Sequence, residues 1–284
     1  MIAAAQKDEA LLADLESAPS APDELRLWWL GQSGFLVRFH GRVLLLDPYL
    51  SDSLTEKYAA TDKPHVRMTE RVIDPETLVE HVHVYTSSHN HTDHLDAETF
   101  APFRDGRQPI ELVIPEANRT FVCQRFSIGD SWATGLDDGV ATNVAGFEFH
   151  GVAAAHNELD RDAAGRHHYL GYVIRCGPWR LYHSGDTLLY PGLAEKLSRF
   201  DIDVAILPIN GNRPERRVAG NLDGREAAQL GHDIGARWVV PCHYEMFEFN
   251  TADPSDLFIP ECERLQQGFH IPRAGEGWSV PARQ

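Results

Sequence analysis

The stretch Ser88-His89-Asn90-His91-Thr92-Asp93-His94-Leu95-Asp96 places three histidines and an aspartate within six residues. In an extended chain alternate side chains share one face, so His89 and His91 can bind one metal ion together. Asp93 and His94 follow where the chain turns, and they can serve a second metal beside the first. Imidazole and carboxylate groups suit zinc, manganese, iron or cobalt. The sequence therefore predicts a metal site in this loop.

Two other interpretations of histidine in this region need weighing. A solvated polar loop could be rich in histidine by chance, but ligand type and spacing together favour a metal site. A second His-x-His pair, His81 and His83, lies inside a strand predicted for residues 81–86 and lacks the following Asp-His. Lone histidines on a strand are usually packed or solvated, so we interpret this pair in that way.

Three later polar residues each follow an apolar segment that is predicted to be a strand. Strand ends that meet at one edge of a sheet are common places for functional sites. Together with the first motif they make seven candidate metal ligands: His89, His91, Asp93, His94, His156, Asp186 and His243.

Short apolar segments separated by turns dominate the chain. They predict strands at residues 25–30, 35–39, 43–46, 81–86, 147–155, 169–176, 179–183, 204–209 and 238–240. Asp223 and Glu226 predict a capping box at the start of a helix that stops at Gly235. Strands with interspersed helices indicate an α/β or α+β class in which helices cover sheets.

The domain organisation predicted from the sequence is simple. Residues 6–16 are typical of an amphipathic helix and residues 17–22 of a Ser/Ala/Pro linker, so residues 1–22 form a leader. The leader could pack on the body or on a partner subunit. No composition shift divides the rest, and we expect one domain over residues 23–284.

Composition excludes several function classes. The 284 residues carry a formal net charge of −16, which on average repels phosphate backbones and anionic membranes. The longest apolar run has five residues, whereas a membrane span needs about 20. Acidic residues stand where a signal peptide would be apolar, and four scattered cysteines fit reduced thiols. We expect a soluble, cytoplasmic protein without a membrane or nucleic-acid partner.

The order His-x-His-x-Asp-His, then His, Asp and His at separate strand ends, resembles the metallo-β-lactamase superfamily from residue 25 to residue 258. Shorter segments resemble its L-ascorbate-6-phosphate lactonase-like branch. These are Trp29-Leu30-Gly31-Gln32-Ser33-Gly34-Phe35, Leu46-Asp47-Pro48, His183-Ser184-Gly185-Asp186-Thr187, Leu207-Pro208-Ile209-Asn210-Gly211, Gly220-Asn221 and Pro241-Cys242-His243-Tyr244-Glu245-Met246-Phe247.

The resemblance implies an αββα sandwich with metals at one edge. It assigns His89, His91 and His156 to a first metal, and Asp93, His94 and His243 to a second. Asp186 would bridge the two. The implied cofactor is one or two divalent ions, with zinc or manganese favoured and iron as the alternative.

The implied activity is hydrolysis of a small anionic ester, a lactone or sugar-phosphate-type compound, by a metal-activated hydroxide. Asp93 is the candidate catalytic residue, which would orient the hydroxide and carry a proton. Consistent with this mechanism, the chain has no G-x-S-x-G elbow, Walker A motif or Rossmann fingerprint. Neither the substrate nor the number of subunits follows from the sequence, and a homo-oligomer stays open.

Two residues are candidates for substrate binding. Arg213 belongs to a basic cluster with Arg216 and Arg217, and arginine suits phosphate or carboxylate. The competing interpretation is a solvated charge run. Asn221 could hydrogen-bond substrate, although Gly220-Asn221 is also a plain turn.

Neighbours of the candidate ligands and rival functions complete the prediction. Tyr244 and His183 stand near candidate ligands in the sequence and are expected to support them.

A phosphodiesterase or nuclease is the first alternative function, and the acidic charge balance disfavours it. A di-iron redox protein or an inactive metal-stabilised scaffold is the second.

Overall fold

The computed structural model describes residues 1–106 and 110–283. The strands are β1 (Arg26–Gly31), β2 (Gly34–Phe39), β3 (Arg42–Leu46), β4 (Val84–Thr86), β5 (Glu111–Pro115), β6 (Ala133–Leu136), β7 (Ala141–Val144), β8 (Phe147–Ala153), β9 (Leu170–Cys176), β10 (Trp179–His183), β11 (Val204–Pro208), β12 (Trp238–Cys242) and β13 (Gly277–Ser279). The helices are α1 (Asp8–Glu16), α2 (Ser53–Tyr58), α3 (Pro75–Leu78), α4 (Ala97–Asp105), α5 (Arg119–Phe126), α6 (Leu193–Leu197), α7 (Gly224–Asp233) and α8 (Phe258–Leu265).

The strands form two mixed sheets. The first has the order β13-β1-β2-β3-β4-β5-β6, and the second has the order β12-β11-β10-β9-β8-β7. Neighbours from β13 to β3 and from β7 to β10 pair antiparallel, and short turns join β1 to β2, β2 to β3, β7 to β8 and β9 to β10. The pairs β3–β4, β4–β5, β5–β6, β10–β11 and β11–β12 are parallel. Helices lie in the connections between parallel neighbours.

Side chains from both sheets meet in one apolar cluster. Trp29 and Leu45 of the first sheet share it with Val173 and Ile206 of the second. On the outside of the first sheet, the rings of α4 and α5 pack against Tyr85 of β4. On the outside of the second sheet, α7 contacts β11 and β12. The layers therefore run helix, sheet, sheet, helix, as the family resemblance implies.

Several predicted boundaries shift in the structure. The strand predicted for residues 81–86 begins only at Val84, because the amides of His81 and Val82 still donate to the carbonyl of Leu78 at the end of α3. The predicted strand at 238–240 continues to Cys242, since β12 lies at a sheet edge where Pro241 needs no donor. The capping box of Asp223 at α7 is present.

The N-terminal helix packs on the body of this same chain. Leu11 and Leu15 of α1 are buried in the core. Arg38 of β2 donates from Nη1 to the carbonyl oxygens of Leu15 at 2.6 Å and Ser17 at 2.7 Å. Across the described part of the chain, no helix combines the length and hydropathy that a membrane crossing requires.

Candidate metal centre

All seven candidate ligands stand in segments that leave the ends of strands. The loop with His89, His91, Asp93 and His94 leaves β4, and the other three leave β8, β10 and β12. The loop is a tight turn, because the amides of His94 and Leu95 both donate to the carbonyl oxygen of His91, at 3.0 and 2.8 Å. Strands from both sheets therefore deliver their polar ends to one edge of the sandwich.

The ligand atoms form three overlapping groups. Within each group one atom per residue lies within 4.8 Å of the others. The groups are His89, His91 and His156; Asp93, His94 and His243; and His89, His94 and Asp186. The first two match the two metal sets implied by the resemblance.

Asp186 lies between the two histidine sets. Its Oδ1 is 3.3 Å from Nε2 of His94, and its Oδ2 is 3.7 Å from Nε2 of His156 and 3.3 Å from Nε2 of His243. Ligands bound at about 2.0–2.1 Å around a tetrahedral ion stand roughly 3.3 Å apart. The observed separations therefore suit donors that share cations.

Buried atoms without partners support the same fit. Nε2 of His89, Nε2 of His94 and Oδ1 of Asp186 are buried and have no hydrogen-bond partner. An unsatisfied buried polar atom costs free energy, so such atoms are rare in folded proteins. Three of them that converge on one point fit a divalent cation with imidazole and carboxylate ligands.

One buried carboxylate orients histidines of both sets. Asp47, which follows β3, accepts a hydrogen bond from Nδ1 of His94 at 2.9 Å. It also accepts from the hydroxyl of Ser88, which in turn lies 3.0 Å from Nδ1 of His89. Holding Nδ1 as the protonated nitrogen leaves Nε2 free to bind metal. His156 is held similarly, since its Nδ1 donates to the carbonyl of Gly220 at 3.0 Å.

The histidines of the first set are held neutral. Burial lowers the pKa of His89 well below its usual range and lowers the pKa of His156 to about 4. Neutral imidazole is the form that binds metal.

Around Asp186 and the second set, buried carboxylates and histidines carry opposite charges that stabilise each other. Burial acts to raise the pKa of Asp186, but His243 and His94 outweigh it and hold that pKa well below the usual range. Burial likewise acts to lower the pKa of His243, but Asp186 and Asp93 raise it to about 9. Without a cation, protons on these histidines balance the carboxylates, and a bound cation would replace them.

A cavity of about 690 Å³ opens over these donors. Its floor includes His91, Asp93, His156, Asp186 and His243. Its walls carry aromatic and cationic side chains, namely Lys57, Tyr58, His65, Phe121, Arg125, Tyr169, Arg217, Phe247 and Phe249. The chain thus gathers positive charge over the centre despite its overall charge of −16.

Neither predicted substrate residue lines this cavity. Arg213 is exposed and lines a separate depression beside Asp223. Asn221 is buried and donates from Nδ2 to Oδ1 of Asn210 at 3.1 Å, while its own Oδ1 has no hydrogen-bond partner among the described residues. The basic cluster lies on a turn that separates its side chains, so that only Arg217 reaches the cavity.

The two residues predicted to support the ligands have buried partners. Nε2 of His183 donates to the carbonyl of Ser33 at 2.9 Å, which ties β10 to the turn before β2. Tyr244 stacks on Trp29, with ring centroids 4.5 Å apart, and its hydroxyl donates to the carbonyl of Pro272. Both hold strand ends in place.

Sequence reasoning assigned no role to three residues beside the centre. Asp47 orients the histidines, and Gln32 donates from Nε2 to Oδ2 of Asp93 at 2.7 Å. Both stand in segments that carry the family resemblance, which was the available signal. Arg125 has no local sequence signal, since it lies alone on a helix far from the motif.

A family model described as "Beta-lactamase superfamily domain" matches residues 26–243, and the chain belongs to this family. The predicted family, the αββα fold and the enzyme class, a metal-dependent hydrolase, are thereby confirmed.

Individual relatives agree with this assignment. A metal-dependent hydrolase from Alkaliphilus metalliredigens is 28% identical over 82% of this chain and 91% of that protein. A protein from Escherichia coli O127:H6, named as a probable L-ascorbate-6-phosphate lactonase, is 22% identical over 90% of this chain and 80% of its own. The structure of Igni18, a metallo hydrolase from Ignicoccus hospitalis, aligns with a TM-score of 0.66 and 20% identity over 92% of this chain and all of that one.

Proposed function

We propose that the protein hydrolyses a small anionic ester, either a lactone or a sugar-phosphate-type compound. The observation that carries the proposal is a cavity with cationic walls whose floor holds five of the seven donors, with His89 and His94 buried beside them, in a chain of charge −16. Such a cavity attracts small anions, whereas the surrounding acidic surface repels long polyanions. The similarity to a protein named as a lactonase supports the ester class.

The donor set supports one or two zinc or manganese ions. His89, His91 and His156 would hold one ion and Asp93, His94 and His243 the other, with Asp186 between them. A bound divalent ion supplies Lewis-acid activation of water and of a substrate oxygen.

Asp93 is the proposed catalytic carboxylate. It lines the cavity, and burial acts to raise its pKa while His94 and His243 hold that pKa well below the usual range. It is therefore ionised and can accept a proton from the attacking water. Gln32 donates from Nε2 to Oδ2 of Asp93 at 2.7 Å, which restrains the orientation of the carboxylate. Asp93 can then pass the proton to the departing alkoxide.

Metal analysis joined to a substrate screen tests this function. Purified protein should contain zinc or manganese and should open lactones or cleave small phosphate esters. Asp93→Asn should lower kcat/KM by about 100- to 10,000-fold, the range for loss of a proton-transfer group. Asp233→Asn removes an exposed carboxylate of α7 and should leave the rate unchanged. Absence of any turnover by the metal-loaded protein would overturn the proposal, and bound iron with oxygen consumption would indicate redox chemistry instead.

A further inference from the structure

Arg125 is fixed beside the metal-binding loop. It lies in the last turn of α5, is half-buried, and lines the same cavity as the metal ligands. Its Nη2 donates to the hydroxyl of Thr92 at 2.6 Å, and its Nη1 lies 3.4 Å from the carbonyl oxygen of Asn90. The ring of Phe121, one helical turn earlier, is 5.6 Å from the guanidinium carbon. The cation is therefore held next to the residue that separates His91 from Asp93.

Among the residues that the structure describes, Arg125 forms no ion pair, although Asp93 and Asp96 act on its charge from farther away. Among residues 1–106 and 110–283, no carboxylate lies within 4.0 Å of its guanidinium nitrogens. By contrast, Arg26, Arg38 and Arg119 are also shielded from solvent, and each is paired with an acid. An unpaired cation that is partly removed from water costs free energy, and burial lowers the pKa of Arg125 accordingly.

Its hydrogen-bonding capacity is also only partly used. A guanidinium has five N–H donors, and the two contacts of Arg125 are both to neutral oxygens. Its Nε has no hydrogen-bond partner among the described residues and is not among the fully buried atoms, and the side chain lines the cavity, so donors remain for a ligand. A planar fork with free donors is the geometry that binds phosphate or carboxylate in a bidentate manner.

The other cations of the cavity are less suited to this role. Lys57 and Arg217 are both exposed, and Arg217 is already paired with Asp62. Exposed charges are screened by salt and contribute little to binding. Of these three cations, Arg125 is the one that is half-buried and forms no ion pair among the described residues.

We infer that Arg125 is the anion-recognition residue of this cavity, and that the substrate carries a phosphate or carboxylate group close to the bond that is cleaved. The closeness follows from the contact with Thr92, which stands between a ligand of each metal set. The cleavage part rests on the proposed hydrolase function, whereas the anion-binding part does not. Phe121 and Tyr169 on the same cavity would cover an apolar or planar part of the ligand.

Calorimetric titration of the metal-loaded protein tests the inference without requiring turnover. Phenylphosphonate, which has no ester bond to cleave, and benzoate serve as probes, one for each anion. Arg125→Met should raise the Kd of the preferred anion roughly 10- to 100-fold, the range for a charge-assisted bidentate contact. Arg125→Lys keeps the charge but loses the fork, and its Kd should fall between those of the wild type and Arg125→Met.

Two controls separate recognition from disturbance of the loop. Arg199→Met removes the same charge from an exposed site outside the cavity and should leave Kd unchanged. Metal content must equal that of the wild type in every variant, so that binding to the ions themselves is constant. Unchanged affinity in Arg125→Met, or no binding of either anion to the wild type, would overturn the inference. If Arg125→Met loses anion binding but the wild type shows no esterase activity, the result would support the role of Arg125 and refute only the proposed reaction.

Discussion

Replacing Asp47 by asparagine is the most direct perturbation of the metal centre that leaves every proposed ligand in place. The carboxylate is completely buried. Its Oδ1 accepts from the amide of Ser88 at 3.0 Å and the hydroxyl of Thr86 at 3.1 Å. Its Oδ2 accepts from Nδ1 of His94 at 2.9 Å and from the hydroxyl of Ser88. Every hydrogen bond of the Asp47 carboxylate is therefore one in which it accepts.

Asparagine has only one oxygen to offer to these donors. If it faces Ser88 and Thr86, the new amide group points at Nδ1 of His94, and two donors oppose each other. His94 then avoids the clash by moving its proton to Nε2, which blocks the nitrogen that faces Asp186. Loss of such an outer partner typically weakens metal binding 10- to 100-fold, about 1.4–2.7 kcal/mol. The effect extends to His89, because Ser88 connects it to the same carboxylate.

The assay is competition for zinc, and then for manganese, between the protein and a chromogenic chelator. Asp203→Asn is the matched control, since Asp203 is equally buried and accepts hydrogen bonds from Arg237, Arg283 and the amide of Arg180, away from the cavity. The control should lower the free energy of unfolding but leave metal affinity unchanged. The reasoning is refuted if Asp47→Asn binds both metals within twofold of the wild type, or if Asp203→Asn weakens binding equally.

Three further outcomes follow from the contacts. Asp186→Ala should bring the metal content below one ion per chain, while His91→Ala should retain the second ion; elemental analysis showing equal losses would contradict a shared role for Asp186. Gly185→Ala should destabilise the protein by about 1–3 kcal/mol in urea unfolding, because φ is +58° and the added Cβ would stand 2.5 Å from a side-chain carbon of the metal loop. The same change at Gly41, with φ +72° and open space, should cost less. Arg38→Met should speed proteolysis of residues 1–22, which its guanidinium anchors, and an unchanged cleavage rate would argue against that anchor.

The ligands could be found from sequence because their signal is local. Four stand in one loop, and His156, Asp186 and His243 each follow an apolar segment that is recognisable without knowing its neighbours. The ends of these segments must then meet at one edge, and the two facing mixed sheets bring them there. Boundaries were less secure, as at residues 81–86, because the hydrogen bonds that end α3 compete with those that would start β4.

The supporting residues were harder to assign because their partners are distant in sequence. Asp47 is 41 residues from Ser88 and 47 from His94, and Gln32 is 61 from Asp93. Nothing within the Leu46-Asp47-Pro48 segment indicates which donors its carboxylate will meet. Only the parallel pairing of β3 with β4, which aligns Leu46 with Thr86, brings the two strand ends together.

The sequence did not point to Arg125 for a related physical reason, and its own candidates for substrate binding, Arg213 and Asn221, stay predictions. A run of arginines in a sequence suggests an anion-binding site, because the clustered charges can be read directly from the sequence. A cationic side chain can bind a ligand, however, only if the fold leaves it without a protein partner. The guanidinium of Arg216 donates hydrogen bonds to the carbonyl of Thr251 and to the side chain of Asn250, and Arg217 forms an ion pair with Asp62 from a distant loop. Arg125 has no basic neighbour in the sequence, yet the fold gives it neutral partners and an open cavity. Availability for a ligand is thus decided by tertiary pairing, and we expect charge clusters in acidic hydrolases of this fold to be poor guides to substrate binding.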